Sequence, residues 1–103
     1  MAFVRAAKVG AVPQGSIAEF EVSGKTVAVA NVAGKFFAIN GVCVHEGGPL
    51  GEGALNGRVV ICPWHAWEYD VTTGRIVGSP DGAEGLGCYP VEIRGEDLYV
   101  DVG

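Results

Sequence analysis

Cys43-Val44-His45, then sixteen residues, then Cys62-Pro63-Trp64-His65 is the stretch that decides how this chain of 103 residues is read. Each arm offers one thiol and one imidazole. Thiolate is the preferred ligand of iron in a sulfide-bridged cluster, and imidazole is its usual nitrogen partner. Two such arms can hold a two-iron, two-sulfur cluster, with Cys43 and Cys62 on the inner iron and His45 and His65 on the outer one. The charges agree with this reading. Two ferric ions, two sulfides and two thiolates cancel when both imidazoles are neutral, whereas four thiolates leave the oxidised centre negative. A neutral centre accepts an electron more readily, so this ligand set raises the reduction potential. The rival reading is one tetrahedral zinc ion on the same four residues. Structural zinc motifs more often pair Cys with Cys and His with His, and here each arm mixes the two. Both histidines of the chain and two of its three cysteines fall inside the pattern.

Outside these arms the chain reads as short β segments separated by turn residues. Phe3 to Val9 is a first strand. Ile17 to Val22 alternates, with Ile17, Glu19 and Glu21 on one side and Ala18, Phe20 and Val22 on the other. Ser23-Gly24 turns into a strand over Lys25 to Val32, and Ala33-Gly34 turns into another over Lys35 to Asn40. Val59-Val60-Ile61 delivers Cys62, and Trp67 to Asp70 returns from the tip. Tyr89, Val91 and Ile93 share one strand face, and Gly95-Glu96-Asp97 turns into Leu98 to Val102. No window has a helical period; a short helix around Ala83 to Gly85 is the single exception allowed. Glycines concentrate in 41–57 and 74–87. Beside a ligand, Gly47 and Gly48 let backbone N–H groups approach cluster sulfides, whereas Gly51, Gly53 and Gly82 read as ordinary surface loop. The expected architecture is one all-β domain over 1–103, an antiparallel β sandwich into which a cluster-binding subdomain of about 41–82 is inserted.

Residues 43–80 resemble the cluster-binding segment of Rieske proteins. The two ligand boxes match, as do Gly48-Pro49-Leu50, Tyr69-Asp70, Thr73-Gly74 and Pro80; the tail from Tyr89 to Val100 resembles the family's closing strands. The likeness is strongest to the small Rieske-type ferredoxins that feed electrons to bacterial ring-hydroxylating oxygenases. It implies a [2Fe–2S] cofactor on Cys43, His45, Cys62 and His65, with Pro80 on a third loop covering it. It also implies transient docking with a flavoprotein ferredoxin reductase and with a terminal oxygenase. Departures from the respiratory branch are informative. That branch has an extra cysteine in each box, joined as a disulfide, where this chain has Gly48 and Trp64. It has a serine where this chain has Trp67, and Ala66 replaces the usual glycine after the second ligand histidine. Tyr69 matches the tyrosine that hydrogen-bonds a ligand thiolate there. Trp64 and Trp67 are expected either to shield the cluster and form a docking rim or simply to pack.

The formal charge is −5 and the pI about 4.8, which argues against nucleic acid as a partner. Met1 to Lys8 has no apolar core of a signal peptide, and no stretch approaches a membrane span; cytoplasm is the expected location. Cys88 reads as a small strand residue. A catalytic oxygenase subunit is not expected, because no residues remain for a mononuclear iron domain. The chain is therefore read as an electron carrier, with a small Rieske-like subunit of a larger reductase, such as a nitrite reductase, as the alternative.

Overall fold

Two-residue turns set the central layer. In the computed structural model, which describes residues 3–42, 49–64, 67–77 and 86–103, Ser23 and Gly24 both take positive φ (50° and 80°), as do Ala33 and Gly34 (52° and 92°). Such turns match the right-handed twist of the strands they join. They link β2 (Ile17–Val22), β3 (Lys25–Val32) and β4 (Lys35–Asn40) as an antiparallel meander in continuous register, Ile17 opposite Ala30 and Val27 opposite Asn40. The three strands begin and end where the sequence places them. β8 (Cys88–Tyr89) adds a short fourth strand beside β4.

The second sheet is β1 (Val4–Lys8), β10 (Asp97–Val100) and β9 (Val91–Arg94), in that order. The third is β5 (Ala54–Asn56), β6 (Val59–Ile61) and β7 (Glu68–Asp70), also antiparallel. It lies in the chain between β4 and β8, as expected of an inserted subdomain, although the insertion runs to residue 87. The fold is all-β, with no α-helix among the described residues. The short helix expected near Ala83 to Gly85 lies outside them. The first strand is shorter than expected because the chain leaves the sheet at Val9 in a 3-10 turn. The last ends at Val100, and the buried segment 101–102 continues without strand pairing. Ile93 keeps the face of Val91, opposite buried Leu98, but at the sheet edge it is half exposed, 51%.

The meander is covered on both faces, and β3 shows why. Side chains alternate across a strand. Val27 and Val29 pack with Val22, Leu98 and Val100 toward the β1–β10–β9 sheet. Ala28 and Ala30 pack with Leu50, Val60, Cys62, Tyr69 and Val71 toward the inserted sheet. The β2 alternation holds in the same sense: Ala18, Phe20 and Val22 join the first core, and Ile17 joins the second. Alanine on the cluster-facing side leaves room for the bulk of Tyr69 and Leu50.

One polar side chain is buried to hold this layer. The Asn31 amide donates to the Val12 carbonyl oxygen at 2.8 Å and accepts from the Gly34 N–H at 2.9 Å. It thereby joins the β3–β4 turn to the segment leading into β2. Removing it leaves a buried carbonyl without that partner. Asn31→Ala is expected to lower unfolding free energy by about 1–3 kcal/mol, read from chemical denaturation, while the visible spectrum of the folded protein stays unchanged.

Candidate metal centre

Cys62 follows directly on β6 and is buried at 1% exposure. The register explains its direction. Val60 lies opposite Tyr69, and residues two apart on a strand share a face. Val60, Cys62, Tyr69 and Trp67 therefore line one side of the β6–β7 hairpin, the side packed on the meander. The Cys62 N–H donates to the Trp67 carbonyl oxygen at 2.7 Å, so the loop that carries His65 in sequence is closed at its base. Inside that loop the Trp64 N–H points back and donates to Cys62 Sγ at 3.4 Å. A buried sulfur that receives a backbone N–H is suited to the thiolate form, because the donor offsets the cost of removing negative charge from water.

The other arm leaves from a similarly closed base. The Gly41 N–H donates to Thr26 O at 3.0 Å, and the Leu50 N–H donates to Gly41 O at 2.9 Å. Val42 pairs with Pro49 in an antiparallel bridge. Cys43, His45 and His65 themselves lie outside the described residues, as do Glu46, Gly47, Gly48, Ala66, Pro80 and Gly82. Cys62 is thus the one expected ligand whose position is described. The segment that holds Pro80 is bracketed by two further backbone bonds, Val77 N to Glu68 O at 2.8 Å and Leu86 N to Gly74 O at 2.7 Å. The cysteine-and-imidazole donor set, with its buried and hydrogen-bonded thiol, fits a [2Fe–2S] cluster with mixed ligation.

The two tryptophans differ. Trp67 packs against the core that contains Cys62, while Trp64 is 48% exposed. Tyr69 is fully buried in the same core. Behind it, Asp70 organises the turn that ends β7: Oδ1 accepts from Thr72 N at 2.9 Å and Thr72 Oγ1 at 2.6 Å, and Oδ2 pairs with Arg58 Nε at 3.1 Å. The sequence signal for this turn is Asp-Val-Thr-Thr-Gly, with Gly74 at φ 77°. Cys88 stands on β8, exposed. Partial burial and then the Asp70 carboxylate push its thiol pKa up, which keeps it protonated at neutral pH.

Two features of this site escape a reading of the sequence. One is the Trp64 N–H bond to Cys62, which depends on backbone geometry rather than side-chain type. The other is the role of Gly51 and Gly53. Read as loose surface loop, both are in fact packed against backbone. A Cβ on Gly51 would stand 2.7 Å from Glu19 N, and one on Gly53 would overlap the carbonyl oxygen of Ile61.

Comparison with known proteins agrees with this geometry. The sequence model of the Rieske [2Fe–2S] domain matches residues 2–90. The biphenyl dioxygenase ferredoxin subunit of Pseudomonas sp. (strain KKS102) is 40% identical over 102 residues, covering 98% of this chain and 93% of that protein. The ferredoxin of Sphingomonas yanoikuyae B1 superposes with a TM-score of 0.88 at 26% identity, over 99% of this chain and 100% of that one. A chain in a complex of reduced oxygenase and oxidised ferredoxin of carbazole 1,9a-dioxygenase gives a TM-score of 0.85 at 30% identity, over 95% of this chain and 91% of that one. A cluster, not a zinc ion, is the family's cofactor, and these relatives are electron carriers of dioxygenase systems rather than reductase subunits. With its thiol at the end of β6 and its backbone closed around two Cys–His arms, the chain belongs to the Rieske [2Fe–2S] family, as a ferredoxin of ring-hydroxylating dioxygenase systems.

Proposed function

We propose that the chain carries single electrons from a flavoprotein ferredoxin reductase to a terminal oxygenase, in the cytoplasm, docking transiently with each. One domain over 1–103 holds the cluster through the sulfurs of Cys43 and Cys62 and ring nitrogens of His45 and His65. Bound there, the cluster supplies a reversible one-electron couple. The observation that carries the reading is the buried Cys62 thiol with its Trp64 N–H donor, in a chain that matches such ferredoxins along nearly its whole length. That N–H stabilises the added negative charge of the reduced state and so favours reduction. Tyr69, by its likeness to the respiratory branch, adds a phenol donor to a ligand thiolate; its burial in the core that holds Cys62 supports this.

The surface near the arms is suited to brief docking. Val42, Trp64 and Val77 are three of the four large apolar side chains exposed among the described residues. Each directly precedes a segment holding expected ligands or Pro80. Between Lys35 and Arg94 the only cations are Arg58 and Arg75. Arg58 adjoins the Val59–Asp70 end of the β6–β7 hairpin, and the Arg75 carbonyl accepts from Asp70 N there, away from Cys62. A partner with an apolar centre and a basic surround fits this end. Among the described residues no helix is long and apolar enough to cross a membrane.

Purified protein is expected to carry two irons and two acid-labile sulfides per chain. Cys62→Ala and His65→Ala should each abolish both, whereas Cys88→Ser should retain them. Stoichiometric zinc without iron, after expression with ample iron, would refute the ligand assignment. Cys88 should react slowly with iodoacetamide at neutral pH and faster as pH rises, the sign that follows from a raised thiol pKa.

Tyr69→Phe tests the phenol donor. The bond is stronger in the more negative reduced state, so losing it is expected to lower the midpoint potential; a tenfold difference between the two states in the strength of that bond corresponds to roughly 60 mV for one electron. Voltammetry on a variant with an intact visible spectrum reads it; an unchanged midpoint removes Tyr69 from the site.

A further inference from the structure

The turn at 49–53 touches both ligand-bearing arms. On one side it closes the base of the segment that holds Cys43 and His45, through the Leu50 N–H to Gly41 O bond at 2.9 Å and the Val42–Pro49 bridge. On the other side Gly53 lies against Ile61, the residue before Cys62. A Cβ there would overlap the Ile61 oxygen and stand 3.2 Å from its carbonyl carbon. Beneath, Gly51 presses on β2, where a Cβ would meet Glu19 N at 2.7 Å and Glu19 Cα at 2.8 Å. Gly53 has φ −79° and ψ −176°, a conformation open to any residue. Glycine is required there for space and not for backbone freedom. The chain has only three cysteines. Two serve as ligands and Cys88 sits on β8, so no disulfide is available to tie the arms together.

We propose that the 49–53 turn is that tie. Pro49, Gly51 and Gly53 are positioning residues that set the spacing of the two arms. Through Ile61 they hold Cys62 where the Trp64 N–H reaches its sulfur. The proposal rests on the reading of Cys43, His45, Cys62 and His65 as ligands.

Three variants test it, each followed by iron and sulfide content, midpoint potential, EPR g-values of the reduced protein, far-UV circular dichroism and thermal melting. Gly53→Ala forces the Ile61 carbonyl aside and lengthens the Trp64 N–H contact to sulfur. A weaker donor destabilises the reduced state, so the midpoint should fall and the g-values should shift. Pro49→Gly loosens the turn without removing an N–H donor, since proline has none. It should lower the midpoint and broaden the EPR lines, and it decides the matter if Gly53→Ala does not fold. Gly57→Ala is the control. Gly57 has φ 62° with nothing within 4 Å of an added Cβ, so alanine strains the backbone in a turn remote from Cys62. Its melting temperature should drop while midpoint and g-values hold.

Folded Gly53→Ala or Pro49→Gly with unchanged midpoint and g-values would overturn the proposal. So would a midpoint that rises, or an equal shift in Gly57→Ala. Loss of the cluster from both turn variants with the β fold retained would support it; unfolding of both would overturn it, because the turn would then be structural only. Wild-type protein lacking iron and sulfide defeats the ligand reading instead.

Discussion

The hydrogen bond from the Cys62 N–H to the Trp67 carbonyl, 2.7 Å long, is the constraint on which the site depends. A ligand thiolate needs shelter from bulk water, yet an electron must leave through a short distance of protein. Those demands oppose each other unless the sulfur sits at the very end of a sheet. Here β6 and β7 run in register until that last bond, and the chain then opens into a loop. Val60 and Tyr69 remain inside, Cys62 is the last buried residue before the loop, and Trp64 already faces solvent. The chain passes from core to surface within two residues of the sulfur-bearing Cys62.

The layers beneath make that position stiff. The β2–β3–β4 meander is packed on both faces, so the inserted sheet rests on a support that is itself supported. Buried Asn31 adds direction: burying an amide costs free energy unless its bonds are made, and its two bonds fix the turn and the entering segment in one arrangement. Rigidity of this kind matters for an electron carrier, because a site that hardly rearranges on reduction loses little energy to reorganisation. Most of the ionic contacts among the described residues are less important. Arg5–Asp97 and Arg94–Glu92 lie on the exposed outer face of the β1–β10–β9 sheet, where pairs of this kind contribute little.

The sequence makes the base of the fold legible to the residue and the site legible in kind. β2, β3, β4 and β6 begin and end where alternation and turn residues place them, because each strand buries one or both faces and a slip of one residue would turn valines outward. The candidate ligand types stand out in the sequence because cluster chemistry tolerates few substitutes. The Trp64 contact was not, since any residue supplies the same N–H. Ile93 also misled. Its alternation with Val91 is real, but β9 is an edge strand, and the pattern that marks a face does not reveal how far the neighbouring sheet extends over it.

Glycine shows the limit most clearly. Gly24, Gly34 and Gly95 all take positive φ in turns that the surrounding strands announce, so a local reading finds them. Gly51 and Gly53 look alike in sequence but answer to a different cause. Their neighbours in space are Glu19 and Ile61, 32 and 8 positions away, on two different sheets. A local pattern carries no information about a partner that arrives only when the sheets stack. The residues that hold two distant ligand arms at a fixed spacing are therefore bound to be the ones a linear reading takes for loop: they are chosen by the absence of a side chain, and the reason for that absence lies elsewhere in the chain.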